Sequence, residues 1–358
     1  MNALRAELIE AINDPNTDWD RDFDAWATRI FAHQFEHNAP YRNLAEGRGI
    51  SSVSGWREVP AVPTDAFKYV ELSTAPDAVT HTFLTSGTTL DARGKHHFLN
   101  LDVYRAAIEG PFRNYCLPKG RMPILVLAAA PGEMPESSLS FMCGELLKTC
   151  GDPRYSGFFL AREENGEFEF DYDGVVDALD FLEKSKVPVF ILGTAFAYVD
   201  FLDTVGDLRW KLAPGSRVLE TGGLKGRTRE VSRAELYALF GSRLGIAPSH
   251  ALSEYSMTEL SSQAYTDAMV RGVGHEEAVF RTPGWARVEI VDPVSLEVLD
   301  TPDARGLIRW YDLANLDSVM AVQTSDIGQR RAGGFVLEGR APEADLRGCS
   351  LVIEEIVG

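Results

Sequence analysis

Cysteine is scarce in this chain, and its spacing excludes two common kinds of small domain. The 358 residues include four cysteines, Cys116, Cys143, Cys150 and Cys349. Four thiols in so long a chain do not form a disulfide framework, and none of them has the C-x-x-C spacing of cysteine-based zinc modules. The sequence therefore predicts a reducing compartment, the cytoplasm, with the first three cysteines as packing residues.

Long apolar runs are absent as well. The longest, residues 122–131 and 187–199, are shorter than the roughly 20 residues that a membrane-spanning helix needs. The first residues carry acidic side chains and lack the apolar segment of a signal peptide. We therefore expect neither a membrane span nor a secretory leader.

Positive charge is in deficit. The chain has 35 Lys and Arg against 53 Asp and Glu, which gives a net charge of −18. The overall field of such a protein does not attract nucleic acid or anionic membranes, so we expect no nucleic-acid partner. A phosphate ligand would have to be bound by a local set of donors.

Strand-like and helix-like segments alternate over the first two thirds of the chain. Apolar spacing predicts helices over residues 2–13, 18–37, 101–115, 195–204 and 232–244. The last begins with the capping-box pair Ser232 and Glu235. Apolar runs predict strands at 80–84, 122–130, 187–192 and 216–220. Pro40, Pro60 and Pro63 indicate loops. This alternation is typical of an α/β fold with a parallel sheet.

The pattern changes beyond about residue 280. Short strand-like runs separated by Asp, Pro and Gly turns occupy residues 286–291, 307–311, 319–323 and 335–338. This pattern predicts an antiparallel or barrel-like section that completes the larger α/β domain.

One loop is rich in hydroxyl groups and follows directly on a predicted strand. It contains Thr85, Ser86, Gly87, Thr88 and Thr89, and a lysine, Lys95, comes shortly after. Hydroxyls and backbone amides can donate hydrogen bonds to phosphate oxygens, and glycine lets the backbone approach them. The order differs from the G-x-x-x-x-G-K-[ST] loop of kinases and ATPases. The alternative is a surface turn rich in Ser and Thr.

Three further segments follow in chain order. They read ETGG at residues 220–223, SEYSMTE at 253–259, and TSDIG at 324–328 with Gly339 and Arg340 beyond it. With the hydroxyl-rich loop, they resemble the motifs T-S-G-T-T-G…K-G, G-G-E, Y-G-x-T-E and T-G-D-x-G…G-R. These motifs belong to the adenylate-forming superfamily of acyl-CoA synthetases, luciferase-like ligases and nonribosomal adenylation domains. The resemblance covers roughly residues 80–348.

The resemblance implies an enzyme that uses ATP and Mg²⁺ to activate a carboxylic acid, fatty or aryl, as an acyl-adenylate. The implied fold is the large α/β domain of that superfamily, with parallel sheets and a smaller barrel-like section. Residues 1–340 would form this domain, and residues 341–358 a short tail. Most members carry a further C-terminal lid with a catalytic lysine, and this chain ends near where the lid would begin. Lys95, Lys225 or a partner protein would then replace that lysine.

The resemblance also implies a role for each motif residue. The phosphate-binding residues would be Thr85, Ser86, Gly87, Thr88, Thr89 and the catalytic Lys95. The nucleoside would be bound by Gly222 and Gly223 against the adenine, Tyr255 stacked on it, and Asp326 on the ribose. Thr258 would hydrogen-bond the α-phosphate, Glu259 would hold Mg²⁺, and Arg340 would pair with phosphate or ribose.

The chain departs from the family pattern at four positions. Leu90, Ser256 and Ser325 stand where the motifs have glycine, and Arg93 competes with Lys95 as the cation of the loop. None of these changes removes a donor or a ligand from the motif set.

Within the superfamily the chain looks most like the acyl-protein synthetases of bacterial luminescence. The short chain, Lys225 beside the double glycine, and Cys349 about ten residues from the end carry this likeness. The likeness implies that Cys349 accepts the acyl group and passes it to a reductase subunit. Three alternatives stay open: Cys349 as a packing residue, a ligase that uses CoA or a carrier-protein thiol, and a non-catalytic nucleotide-binding subunit.

Other side chains allow two interpretations each. His33, Glu36 and His37 match the H-x-x-E-H zinc motif but also suit an ordinary helix. His96 and His97 would position the substrate carboxylate or form a solvated pair. Thr194 and Phe196 would line an acyl pocket or pack, and the charged run 163–167 indicates a hairpin or loop.

Overall fold

The computed structural model describes residues 2–86, 92–163, 166–222, 231–341 and 356. The chain forms two compact units from interleaved segments. The first contains Met1–Gly110, Met257–Gln263 and Thr282–Gly358, and the second contains Pro111–Ser256 and Ala264–Arg281. Gly87, Thr88, Thr89, Gly223, Lys225 and Cys349 lie outside the described residues.

Five of the ten helices in the described residues lie where the apolar spacing predicts a helix, and the other five were not predicted. They are α1 (Asn2–Asn13), α2 (Trp19–His37), α3 (Ala39–Gly47), α4 (Ala66–Tyr69), α5 (Asp102–Tyr115), α6 (Ser138–Cys150), α7 (Tyr172–Ser185), α8 (Ala195–Thr204), α9 (Arg233–Leu244) and α10 (Ala268–Arg271).

The strands are β1 (Val62–Pro63), β2 (His81–Leu84), β3 (Lys95–Phe98), β4 (Ile124–Ala129), β5 (Gly157–Arg162), β6 (Phe168–Phe170), β7 (Phe190–Thr194), β8 (Arg217–Thr221), β9 (Ala251–Tyr255), β10 (Ala264–Thr266), β11 (Phe280–Arg281), β12 (Ala286–Val291), β13 (Arg305–Asp312), β14 (Ala321–Arg331) and β15 (Gly334–Arg340).

The second unit contains the parallel sheet that the alternating pattern predicts. Its strand order is β11-β10-β9-β8-β7-β4-β5-β6. The pairs β5–β4, β4–β7, β7–β8 and β8–β9 are parallel, while β6, β10 and β11 pair antiparallel at the two sides. Every residue of β4 is buried, as expected of a strand covered on both faces. The carboxyl ends of β8 and β9 consequently lie side by side.

The first unit contains the antiparallel section expected beyond residue 280. Strands β12, β13, β14 and β15 pair in chain order, and β1 adds to β14 in parallel. The buried side chain of Gln34 on α2 bonds to the segment before β14. Its Nε2 donates to the Asn315 carbonyl over 2.7 Å, and its Oε1 accepts from the Met320 amide over 3.1 Å. Strands β2 and β3 form a separate hairpin in this unit.

Local capping signals account for several helix ends. Ser232 and Glu235 form the predicted capping box at the start of α9. The loop expected at Pro40 is wrong, because Pro40 lies in the first turn of α3, where a missing N–H costs nothing. Asn38 caps this helix by accepting from the Tyr41 amide over 3.2 Å.

The hairpin expected at the charged run 163–167 is confirmed by the antiparallel pairing of β5 with β6. Among the described helices, none is both long enough and apolar enough to cross a membrane. The thiols of Cys116, Cys143 and Cys150 are buried, which agrees with the packing role expected of them.

Candidate active site

The base of the hydroxyl-rich loop is closed by its own backbone and by one hydroxyl. Thr85 and Gly94 exchange two hydrogen bonds: the Thr85 amide donates to the Gly94 carbonyl over 2.9 Å, and the Gly94 amide donates to Thr85 Oγ1 over 2.8 Å. A Cβ on Gly94 would stand 2.9 Å from Thr85 Cγ2, so this close approach favours glycine. The two chain segments that flank the loop are thereby held together.

The two candidate cations of this loop differ in what they contact. Arg93 Nε donates to the Thr85 carbonyl over 2.6 Å, and its guanidinium also reaches the Leu84 carbonyl over 3.3 Å. Lys95 is exposed at the first position of β3, and Ser86 is exposed on the opposite side of the loop base. Arg93 is therefore used to hold the loop base, while the Lys95 ammonium is accessible to a ligand.

His96 connects the loop hairpin to Thr258. Its ring is buried, its Nδ1 lies 2.8 Å from the Thr258 carbonyl, and burial lowers its pKa to about 4. Because a carbonyl only accepts, the neutral ring carries its proton on Nδ1. The solvated pair considered for His96 and His97 is therefore wrong for His96. His97 is half-buried, and its Nδ1 lies 2.9 Å from Thr82 Oγ1.

Glu259 is a buried carboxyl group surrounded by charges. Its residue is 7% exposed, and burial raises its pKa to about 7. Arg340 lowers that pKa, whereas Asp326 and Asp65 raise it, so all three charges act on one carboxyl. Glu259 thus lies within electrostatic range of the Asp326–Arg340 pair in the first unit. Asp65 was not predicted.

Asp326 and Arg340 face each other across two paired strands. They are partners in the register of β14 and β15, and Arg340 Nε lies 3.4 Å from Asp326 Oδ1. The Arg340 side chain is 68% exposed and that of Asp326 14% exposed. The Asp326 amide donates to Thr324 Oγ1 over 3.1 Å, which fixes the strand just before the carboxylate. The guanidinium is thus accessible to an anionic ligand beside an aspartate.

The donor set around Glu259 suits Mg²⁺. Mg²⁺ prefers carboxylate oxygens and is usually bound by one or two of them together with substrate phosphates. A nearby cation would also offset the charge that burial disfavours in Glu259. Within the described residues no three His, Cys, Asp or Glu side chains form a metal-binding group by themselves. The rings of His33 and His37 lie 4.9 Å apart on α2, without a third such ligand in that part of the chain.

In the second unit, the motif residues lie at the ends of β8 and β9. Tyr255 closes β9, is largely buried, and packs edge-on against Phe280 with ring centroids 6.0 Å apart. Gly222 follows β8 with φ +74°, a left-handed conformation that favours glycine. No described atom lies within 4 Å of the position where its Cβ would be. The backbone after β8 therefore borders open space.

Two buried glutamates stand on these strands, Glu220 on β8 and Glu254 on β9. Ser253 Oγ donates to Glu220 Oε1 over 2.6 Å, Tyr237 reaches the same oxygen over 3.3 Å, and Arg233 lies 3.6 Å away. Burial raises the pKa of Glu220, and Arg233 opposes that shift. Glu220 therefore has both hydroxyl donors and a cation.

Among the described residues, the donors that act on Glu254 are hydroxyl groups. Thr221 Oγ1 donates to its Oε2, and its residue is 2% exposed. Burial raises the pKa of Glu254 to about 7, and the Ser256 and Thr221 hydroxyls only partly oppose this. Sequence reasoning did not select Glu254. The sequence signal that could have selected Glu254 is its acidic side chain within a run of residues that otherwise suits a buried strand.

Thr194 was expected either to line an acyl pocket or to pack. It caps α8, since its Oγ1 accepts from the Ala197 amide over 3.1 Å. Phe196, in the first turn of that helix, is partly buried. The hydroxyl of Thr194 thus has a structural task at the junction of β7 and α8.

The likeness of this chain to known proteins is a likeness of fold. No family model matches the chain, and no curated protein matches it. Among solved structures, ATP-bound MatB from Rhodopseudomonas palustris matches with a TM-score of 0.53 at 16% identity, over 73% of this chain and 48% of that one. An ATP-bound RpMatB-BxBclM chimera matches with a TM-score of 0.50 at 16% identity, over the same shares of the two chains.

These likenesses support the predicted fold class. The chain shares its mixed α/β architecture, with a sheet whose central strands are parallel, with ATP-bound MatB. The chain spans about half the length of the solved structures that it matches, 48% for MatB. At 16% identity, what the chain shares with MatB is its fold.

Proposed function

We propose that this chain is an ATP-dependent ligase that activates a carboxylic acid as its acyl-adenylate. The observation that carries the proposal is the Asp326–Arg340 pair of the first unit, which lies within electrostatic range of the buried Glu259. These residues come from two motifs that are far apart in the sequence, and in the superfamily both motifs serve ATP. The fold shared with ATP-bound MatB supports the same conclusion.

The reaction is an in-line displacement at the α-phosphorus of ATP. An oxygen of the substrate carboxylate forms a bond to this phosphorus, and the bond to the bridging oxygen of pyrophosphate breaks. Pyrophosphate leaves with the electron pair of that bond. Catalysis of such a step depends mainly on positioning and on neutralising charge.

The loop residues Thr85, Ser86, Gly87, Thr88, Thr89 and Lys95 would hold the outgoing phosphates in this proposal. The ammonium of Lys95 is exposed for that task, and Arg93 stiffens the loop base. Thr258 would donate to the α-phosphate, with its peptide held by His96. Glu259 would hold Mg²⁺, which when bound would supply charge neutralisation at the phosphates.

The nucleoside would be held by residues after β8, at the end of β9 and within β14. Gly222 and Gly223 would lie against the adenine, and Tyr255 would stack on it. Asp326 would accept hydrogen bonds from the ribose hydroxyls, which a carboxylate does well. Arg340 would then pair with phosphate or ribose.

The second step would transfer the acyl group to sulfur. The Cys349 thiolate attacks the acyl carbon, a thioester forms, and AMP leaves with the electrons of the broken acyl–oxygen bond. The thioester would then pass to a partner such as a fatty-acid reductase in the cytoplasm. In a variant of this proposal, an aryl or biosynthetic acid is activated in the same way, and its acyl group is transferred to CoA or to a carrier-protein thiol.

Exchange of labelled pyrophosphate into ATP tests the first step. The full chain should catalyse exchange that depends on an added acid, across a panel of fatty and aryl acids. Tight ATP binding without exchange for any acid would instead assign the chain to the non-catalytic nucleotide-binding subunits.

Covalent labelling tests the second step. With labelled acid and ATP, the wild-type chain should acquire label that hydroxylamine releases. Cys349→Ser should keep exchange and lose the label, whereas Cys143→Ala, a buried thiol, should keep both. Label that survives in Cys349→Ser, or thioester that appears only on added CoA, would overturn the role of Cys349.

A further inference from the structure

The ends of β8 and β9 place an acid and a threonine side by side. Thr221 and Glu254 are partners in the register of these two parallel strands. Each is at or next to the carboxyl end of its strand, the edge of an α/β sheet where ligands bind. Gly222, directly after Thr221, borders open space. A ligand at this edge would therefore meet the Glu254 carboxyl group.

One oxygen of Glu254 has no hydrogen-bond partner. Oε2 accepts from Thr221, but Oε1 is buried and receives no hydrogen bond from any group in the described part of the chain. Buried polar atoms are almost always paired in native proteins, and an exception calls for an explanation. Glu220, one strand away, shows the usual arrangement, with Ser253 and Tyr237 both reaching its Oε1.

Among the described residues, no cation compensates the Glu254 carboxyl group. Arg233 lies 3.6 Å from Glu220, but the charges and hydrogen bonds that act on Glu254 come from Ser256, Thr221 and Glu220. Burial raises the pKa of Glu254 to about 7, and a donor at Oε1 would stabilise its ionised form.

Glu254 and Tyr255 are consecutive residues of β9, so their side chains point to opposite faces of the strand. Tyr255, on the face that packs on Phe280, is the residue proposed to stack on the adenine. A donor that reaches Glu254 consequently belongs to another part of the bound ligands. The acid to be activated is the remaining ligand of the proposed reaction.

We propose that Glu254 Oε1 accepts a hydrogen bond from a hydroxyl or amino group of the acid substrate. The substrate class is therefore a hydroxy- or amino-substituted carboxylic acid, and not an unsubstituted fatty acid. This inference rests on the proposed function. Sites built to bond a substrate hydroxyl or amine reject the analogue without it by up to about 10⁴-fold, because the buried group is left unpaired.

Matched pairs of acids test this directly. Benzoate and a straight-chain alkanoate are each compared with their hydroxy and amino derivatives by acid-dependent pyrophosphate exchange. We expect kcat/KM to favour at least one donor-bearing acid over its parent by about 10²-fold or more. Equal kcat/KM within every pair would overturn the inference and leave the proposed function intact, whereas no exchange with any acid would overturn both.

Two variants assign the preference to Glu254. Glu254→Gln keeps the shape of the side chain, replaces one carboxyl oxygen with an NH₂ donor, and should cut the preference by about tenfold or more. Glu145→Gln removes another buried carboxyl group of the same unit, one that pairs with Lys148 over 2.7 Å, and should leave the ratio unchanged. If the Glu254→Gln chain does not fold, as judged by circular dichroism, the shorter carboxyl of Glu254→Asp provides the comparison.

A nucleotide analogue separates the acid from adenine as the source of the donor. Purine riboside triphosphate lacks the 6-amino group of ATP. We expect the effect of Glu254→Gln on acid preference to be the same with this analogue as with ATP. If the effect of the substitution instead disappears with the analogue, Glu254 binds the adenine amino group and the assigned substrate class is wrong.

Discussion

Each of the two units contains a buried carboxyl group among its motif residues, and the two groups are compensated differently. Glu259 in the first unit has the exposed guanidinium of Arg340 nearby, and Glu254 in the second has hydroxyl groups. Burial raises the pKa of each to about 7. A carboxyl group in the first setting can stay ionised beside a cation. One in the second needs a further donor, which a ligand is able to supply.

The largest expected effect tests Glu259. Glu259→Gln should lower the rate of acid-dependent pyrophosphate exchange by about 10²–10³-fold, because one preorganised charge in an active site is worth that much. Titration with ATP and rate measurements at saturating acid would show whether the loss is in kcat.

Glu289→Gln is the matched control for that measurement. Glu289 is equally buried in the same unit and pairs with Arg57, whose Nε lies 2.7 Å from Glu289 Oε1. It has no proposed contact with ATP, so exchange should stay near the wild-type rate. A normal rate in Glu259→Gln would contradict the metal-binding role of Glu259.

The next effect concerns how the free energy of unfolding depends on pH. The folded-state pKa of Glu254 and of Glu259 is raised from 4.5 to about 7. Each group therefore contributes its full stability below pH 4.5, and the contribution falls as pH rises through about 7. The loss is at most about 3–4 kcal/mol for each group, since the shift is about 2.5 pKa units and one unit corresponds to ~1.4 kcal/mol.

Chemical denaturation at several pH values measures this. Glu254→Gln and Glu259→Gln should each flatten the decline of unfolding free energy with pH. Glu58→Gln should make this decline slightly steeper, because hydrogen bonds from Ser54 lower the pKa of that exposed carboxyl. An unchanged slope in both buried-site variants would refute the account of these groups.

Two glycines, one in each unit, give a smaller effect. Gly222→Ala should cost about 1 kcal/mol, because its φ of +74° disfavours a side chain although the space is open. In Gly94→Ala the new Cβ would meet Thr85 Cγ2 at 2.9 Å, so the loop base has to shift. Thermal melts of Gly222→Ala and Gly94→Ala measure the loss of stability in each variant.

Nucleotide titrations distinguish the two glycine variants further. The Gly94→Ala shift displaces the loop that is proposed to hold phosphates, so ATP affinity should fall along with stability. Gly110→Ala serves as the control, since its new Cβ would be 3.8 Å from Trp285 and needs no shift of the loop. Unaltered ATP affinity in Gly94→Ala would argue against a phosphate role for the loop.

The smallest expected effect tests whether Arg340 acts directly on the Glu259 carboxyl group or only through the net charge of the protein. Because Arg340 lowers the pKa of Glu259, Arg340→Ala should raise it. The part of the pH–rate profile that reports Glu259 should then move to higher pH. Arg305→Ala breaks an exposed ion pair with Glu338, at 2.5 Å on the same sheet, and should leave the profile in place. Identical shifts in both variants would mean that only the net charge matters.

Much of the local structure follows from short-range patterns. Helical spacing predicts α1 and α8 with their observed bounds, and the apolar run 122–130 predicts β4. These elements depend on contacts that any neighbouring apolar surface can satisfy. Strand β9 lacks such a pattern, since all five of its residues are buried and two of them, Ser253 and Glu254, are polar. Its strand conformation depends on the pairing with β8 and β10.

The sequence by itself determined the order of the hydroxyl, glycine and acidic motifs, and the helical and strand periods around them. Tertiary structure decided which of those groups meet. It brings His96 to the carbonyl of Thr258, 162 positions away, and sets Asp326 opposite Arg340 in one register. It also leaves one oxygen of Glu254 buried without a donor among the described residues. Contacts of this kind depend on strand register and burial, which short-range sequence patterns do not specify.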